Sequence, residues 1–292
     1  MRTWPDCVPC MLNMAMGVAR RATADEAQVK VFMEEVLRDR LVGEDVFERF
    51  TPEIVRDMWL RITALTGDPD ALRQEKDRQN RIALELYPSV RRYVETAYDP
   101  FLAALKLSIG GNMLDAMVGV DAEPPEAMIA KVDADEIAPE HVEELRRRFT
   151  EARLVVWFTD NCGEIVFDRL FLEYAIPTFD IKVTAVTRKV PTVNDATLAD
   201  AVAVGLDRVA DTVIDNGIDE PLPSTDLRKV SDEVRALVKA ADLVISKGVG
   251  NYELLSEEVG LAGKTSFLVH GKCHPMCELH GVERGGLIVF NY

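Results

Sequence analysis

The chain has 292 residues, 48% of them hydrophobic, enough to bury one large core or two smaller ones. Its 34 basic and 50 acidic residues leave a formal charge of −16, which argues against a binder of nucleic-acid backbone, whose affinity comes from clustered Lys and Arg. No apolar run approaches the roughly 20 residues that span a bilayer, and five cysteines without a signal-peptide core read as reduced thiols or metal ligands, so a cytoplasmic protein with no membrane partner is expected.

From residue 23 to about 118 the spacing of Leu, Ala, Glu, Lys and Arg is helical, which predicts a helical N-terminal domain over residues 1–120. Asp68-Pro69-Asp70 and Asp99-Pro100 read as helix starts, because Asp can cap and Pro fits the first turn. Asp121-Ala122-Glu123-Pro124-Pro125 is the best linker. Beyond it, in a second domain over 121–292, a helix is expected near 139–150. Short apolar runs at 154–159, 182–186, 208–214, 243–246, 266–269 and 287–290 then alternate with helical stretches. Strands alternating with helices imply right-handed crossovers, hence an α/β chain: a helical domain followed by a Rossmann-like three-layer α/β/α domain with a mostly parallel sheet.

The chemistry lies at the predicted strand ends, where open parallel sheets hold their ligands. The run Leu154-Val155-Val156-Trp157-Phe158 stops at Asp160-Asn161-Cys162-Gly163-Glu164, and the next strand leads towards Asp195. Asp160, Asn161 and Asp195 offer oxygen donors suited to a hard divalent ion such as Mg²⁺ or Mn²⁺. The competing reading makes Asp160 and Asp195 caps of the helices that follow. At the third strand end, Lys247-Gly248-Val249-Gly250-Asn251 has two glycines that let backbone N–H groups approach a phosphate, although the Walker spacing is absent. The fourth adds Lys272, a cation that any anionic ligand of so acidic a chain would need.

Taken in order, Asp160-Asn161-Cys162-Gly163-Glu164, Val193-Asn194-Asp195-Ala196-Thr197, Ser246-Lys247-Gly248-Val249-Gly250-Asn251 and Lys272-Cys273 resemble the damage-control phosphatase family, domain of unknown function 89. Gly110-Gly111-Asn112-Met113-Leu114-Asp115 and Cys7-Val8-Pro9-Cys10 look like its stand-alone microbial branch. The resemblance covers nearly the whole chain. It implies a divalent metal (Mn²⁺, Co²⁺, Ni²⁺ or Mg²⁺) on Asp160, Asn161 and Asp195, catalytic roles for Glu164 and Lys272, and a small phosphorylated metabolite as substrate. Substrate contacts are assigned to Lys247, Gly248, Gly250, Asn251, Arg188 and Asn112. Arg188-Lys189-Val190 replaces a glycine-containing turn of the family, which leaves the substrate's identity open, and a homo-oligomer is equally open. Direct attack by water is favoured over a phosphoaspartate, because Cys162 stands where a second Asp would be expected.

Two other classes compete. One is an S-adenosylmethionine-dependent carboxyl methyltransferase, for which Gly110-Gly111-Asn112, lying in a helical region, makes a poor dinucleotide fingerprint. The other is a zinc-stabilised binding module built on Cys7, Cys10, Cys273 and Cys277, against which the same thiols simply pack. Cys162 is expected to pack as well. His270, His274 and His280 are left out of the site, and Trp4 and Trp157 are read as packing residues.

Overall fold

The structure is a computed structural model of the chain and describes residues 1–38, 45–111 and 125–292. Helix α1 (Cys7–Ala22) comes before the expected start of helical pattern, and Thr23 is its C-terminal cap. Met11, Ala15, Val18 and Ala19 give it a buried face at helical spacing. They pack with α2 (Glu26–Arg38) and α3 (Thr51–Thr66) around Phe32, Ile54, Met58 and Trp59.

Helix α4 (Arg73–Thr96) starts later than expected: Asp68 turns the chain by accepting from the Asp70 N–H at 2.9 Å, and the helix begins at Arg73. Asp99 does cap α5 (Pro100–Gly110), its carboxylate accepting from the Leu102 N–H at 3.1 Å with Pro100 in the first turn. Apolar packing divides the chain differently from the expected boundary at residue 120. Residues from Cys7 to Leu72 form one cluster, whereas Leu86, Val90, Phe101 and Leu105 of α4 and α5 share a core with the sheet. The break in the core therefore falls near Leu72; residues 121–124 of the expected linker lie outside the described residues.

Helices α6 (Pro125–Ala134) and α7 (Pro139–Glu151) lead into a six-stranded sheet. Its strands are β1 (Leu154–Phe158), β2 (Lys182–Thr187), β3 (Thr212–Asp215), β4 (Leu243–Lys247), β5 (Thr265–His270) and β6 (Leu287–Asn291). The order is β3-β2-β1-β4-β5-β6, parallel except for β6. The strand expected over 208–214 begins only at Thr212; a 3-10 turn (Leu206–Arg208), entered through Gly205 at φ +76°, takes up Arg208.

Side chains alternate between the two faces as a pleated strand requires. Val155 and Trp157 of β1 and Leu243 and Ile245 of β4 join the core under α4, α5, α7, α8 (Glu164–Phe179) and α9 (Leu198–Ala203). Val156, Phe158 and Val244 face the opposite cluster, which includes α10 (Asp232–Ala240), α11 (Gly248–Leu255) and Met276 of α12 (His274–His280). The three-layer α/β/α expectation is met. Among the described residues no helix is long and apolar enough to cross a membrane.

Candidate active site

The sheet order reverses at β1 and β4, with β2 on one side and β5 on the other, so the four strands that carry the predicted chemistry end around one crevice. The chain leaves β1 at Asp160, and the loop after β2 folds back against it. The Ala196 N–H donates to the Asp160 carbonyl at 2.8 Å, and the Cys162 N–H donates to the Asn194 carbonyl at 2.9 Å. A short antiparallel bridge thus sets Asp195 beside Asn161. The turn holds Val193 at φ +45°, a costly conformation for a β-branched residue and one retained on the cavity wall.

Neither aspartate is a helix cap. Helix α8 starts at Gly163 without a side-chain cap from its own segment; the Gly163 N–H is taken instead by Asn80 Oδ1, at 2.7 Å from α4. Helix α9 is capped by Thr197, reciprocally with Asp200. Asp160 and Asp195 instead line the crevice.

A cavity of about 200 Å³ opens there. Asp160, Asn161, Asp195, Gly248, Gly250 and Lys272 of the expected set line it, together with Met14, Thr51, Pro52 and Val55 of the N-terminal helices. Gly248 sits at φ +79°, and a Cβ there would stand 1.9 Å from Asp160 Oδ2. At Gly250 a Cβ would stand 2.2 Å from the Pro223 carbonyl. These glycines allow the turn after β4 to close on the carboxylate.

Three expected substrate contacts stand elsewhere. Arg188 is buried beneath the carboxylates: its Nε donates to Asp195 Oδ2 at 2.6 Å, its Nη1 donates to Asn251 Oδ1 at 3.0 Å and Thr225 Oγ1 at 3.1 Å, and its Nη2 lies 3.7 Å from Asp160 Oδ1. Asn251, also fully buried, donates to the carbonyls of Thr159 at 3.1 Å and Lys247 at 2.8 Å. Both residues brace the strand ends rather than face the cavity. Lys247 points away from it, because β4 alternates and Lys247 shares the face of Leu243 and Ile245. Its ammonium meets Asp168 Oδ1 at 2.6 Å, Glu164 Oε1 at 2.7 Å and the Ser108 carbonyl at 2.8 Å. Asn112 lies outside the described residues. The adjoining Gly110 and Gly111 serve packing, since a Cβ would stand 2.6 Å from Val132 at the first and 2.5 Å from the Phe167 ring at the second.

Two titratable residues not expected in the site belong to its wall. His270, the last residue of β5, lines the cavity with its Nδ1 buried and unpartnered. Burial and then the Lys272 charge hold its imidazole below the usual histidine value. Glu253 of α11 lines the cavity at 4% exposure, and burial raises its carboxyl to about 8, against the opposing N-terminal amine and the Thr51 hydroxyl. Both could have been found by extending the strand-end and helix patterns: His270 ends its strand, and Glu253 lies one turn beyond Gly250. Asn80 and Gln79 carried no such signal. Gln79 Oε1 accepts from Asn194 Nδ2 at 3.4 Å, a contact made across 115 residues of chain.

The electrostatics centre on Asp160. Burial first, then the carboxylates of Asp195 and Glu164, push its carboxyl well above the usual range, while Arg188 and Lys272 oppose the shift. The Asn161 amide nitrogen donates to Asp160 Oδ2 at 2.9 Å and to Glu164 Oε2 at 3.4 Å. Excess negative charge and an amide held among carboxylates are what a hard cation with oxygen ligands would stabilise. The donor set of two carboxylates and one amide fits such an ion. None of the five cysteines is in a disulfide, and among the described residues no set of three or more His, Cys, Asp or Glu is gathered to hold a metal. Cys162 is 1% exposed in the core and away from the cavity wall.

Known proteins match nearly the full length of the chain. The model of the damage-control phosphatase ARMT1-like domain matches residues 3–288. A damage-control phosphatase of Archaeoglobus fulgidus is 30% identical over 99% of this chain and 98% of its own. One of Pyrococcus horikoshii is 27% identical over 99% and 97%. The crystal structure of a DUF89 family protein from Pyrococcus horikoshii superposes with a TM-score of 0.87 at 26% identity, covering 100% of this chain and 99% of that one. Four strand ends converging on one acidic cavity, in a fold and sequence matched from end to end, place the chain in the damage-control phosphatase ARMT1-like domain family.

Proposed function

We propose that the chain is a metal-dependent phosphatase that hydrolyses small phosphorylated metabolites, sugar phosphates or related damaged compounds, by direct attack of water. The observation that carries this reading is the meeting of Asp160, Asn161, Asp195, Gly248, Gly250 and Lys272 on one cavity wall. Asp160, Asn161 and Asp195 would hold the divalent ion. Bound there, it would supply Lewis acidity at a phosphoryl oxygen and make a nearby water more acidic.

The chain's own groups do the rest. Lys272 faces the phosphoryl group and offsets negative charge that builds on its oxygens in the transition state. The first N–H groups of α11, exposed by Gly248 and Gly250, orient the same oxygens at a helix N-terminus. Arg188 holds Asp195 in place and keeps Asp160 more acidic than burial alone would leave it. Met14, Pro52, Val55 and Val249 give the cavity an apolar side that limits water around the leaving group. A volume of about 200 Å³ suits a substrate of a few carbons. A cytoplasmic setting would supply such metabolites.

The test uses purified protein, p-nitrophenyl phosphate and Mn²⁺, Co²⁺, Ni²⁺ or Mg²⁺ in turn. Hydrolysis that a chelator abolishes is expected, with losses of roughly 10²- to 10³-fold or more in Asp160→Ala and in Asp195→Ala. Full residual activity in both variants would remove the proposal.

A further inference from the structure

Lys247 has no place on the cavity wall, yet its ammonium is fully buried and surrounded by hydrogen-bond acceptors. Its side chain is 0% exposed, as is that of Asp168, and Glu164 is 2% exposed. The ammonium is fully used: it donates to Asp168 Oδ1 at 2.6 Å, to Glu164 Oε1 at 2.7 Å, and to the Ser108 carbonyl and hydroxyl at 2.8 and 3.0 Å. Asp168 Oδ1 also accepts from Ser108 Oγ at 2.6 Å, and its other oxygen, Oδ2, accepts from Trp157 Nε1 at 3.3 Å. Burial pushes the Lys247 ammonium down, but Asp168 and Glu164 outweigh it and hold the group charged.

The two oxygens of Glu164 face in different directions. Oε1 is bound by Lys247, while Oε2 accepts from the Asn161 amide nitrogen at 3.4 Å, and that nitrogen also donates to Asp160 Oδ2 at 2.9 Å. With its nitrogen engaged by two carboxylates, the Asn161 side chain has one amide orientation, the one that leaves its oxygen for a ligand. We propose that Lys247 is a positioning residue: from beneath the sheet it clamps Glu164, and through Glu164 it fixes the Asn161 amide for cation binding. The proposal rests on the metal-dependent reading of the site. Partners behind a ligand, here Glu164 and through it Lys247, set the ligand's orientation and typically change metal affinity by 10- to 100-fold when removed.

The measurement is Mn²⁺ binding, followed by electron paramagnetic resonance of free Mn²⁺, on three proteins at equal concentration, with thermal unfolding of each recorded without metal. Lys247→Met alone would leave two buried carboxylates uncompensated and threatens the fold. Asp168→Asn with Lys247→Met removes one charge of each sign. Asp168→Asn alone keeps the clamp on Glu164. The expected result is Mn²⁺ affinity within about threefold of the parent in Asp168→Asn, and weaker by 10- to 100-fold in the double variant. Equal affinity in all three proteins overturns the proposal and leaves the phosphatase reading intact. An equal loss in both variants also overturns it, because the effect would then come from Asp168. Absence of Mn²⁺ binding to the parent protein overturns both. If the double variant is not recovered folded, Glu164→Gln carries the test, and parent-like affinity there overturns the clamp.

Discussion

Two buried carboxylates, Asp160 and Asp200, show how differently one fold can treat a negative charge. Asp200, 0% exposed at its side chain, meets Arg73 Nη2 at 2.5 Å and Lys76 Nζ at 3.2 Å, and Thr197 gives it a backbone N–H at 2.9 Å. Burial alone would raise its carboxyl, yet these partners hold it at about 2. Asp160 has Asp195 and Glu164 for neighbours, and its carboxyl is pushed the other way. The protein's own cations complete the first cluster. Around Asp160, burial and the like charges outweigh Arg188 and Lys272.

The largest expected effects set these two positions against each other. Asp200→Asn leaves Lys76 and Arg73 facing an amide in a buried site, and should cost about 3–5 kcal/mol in urea unfolding, with the activity of the folded fraction nearly unchanged. Asp160→Asn should do the reverse. It removes like-charge crowding, so unfolding stability at pH 8 should stay level or rise, while phosphatase activity falls roughly 10²- to 10³-fold. Comparable destabilisation in both variants would erase the distinction.

Glycines sharpen it at smaller magnitude. Gly248 and Gly205 share a positive φ, +79° and +76°, so alanine at either carries a backbone cost of roughly 1–2 kcal/mol. At Gly205 a Cβ would come no closer than 3.3 Å to the Arg169 guanidinium, whereas at Gly248 it would collide with Asp160. Gly248→Ala should therefore lose about 1–3 kcal/mol more and most of its activity. Gly205→Ala should retain activity. Equal activity in the two variants would show that the turn after β4 does not shape the site.

Much of this was legible in the chain, and the exceptions have physical reasons. The strand ends could be read because apolar runs of strand length stop at Asp or Gly, and Asp160, Asn161, Asp195 and Lys272 indeed share a cavity. Adjacency to Gly248 suggests a cavity role for Lys247, but the two-residue period that buries Leu243 and Ile245 assigns Lys247 to their face. Helix α1 was missed although Met11, Ala15 and Val18 carry the helical period. Asn80 and Gln79 were invisible for another reason, since hydrogen bonds that join α4 to loops some eighty or more residues later leave no local pattern.

A further expected effect extends the comparison to pH through Glu253. Its carboxyl lies at about 8 in the folded chain against an ordinary 4.5, because burial favours the neutral form. Between those values the folded protein keeps a proton that the unfolded chain has released, so raising the pH favours unfolding. The contribution is fully present below 4.5 and lost by about pH 8. Asp200 has the opposite sign: its contribution is present above 3.8 and lost as the pH falls towards 2. Glu253→Gln keeps the shape without the proton, so the urea midpoint of the parent should fall relative to that of the variant between pH 5 and pH 8. A parent-minus-variant difference that stays constant across that range would mean that Glu253 is charged in the folded protein, and that it adds negative charge to the cavity wall.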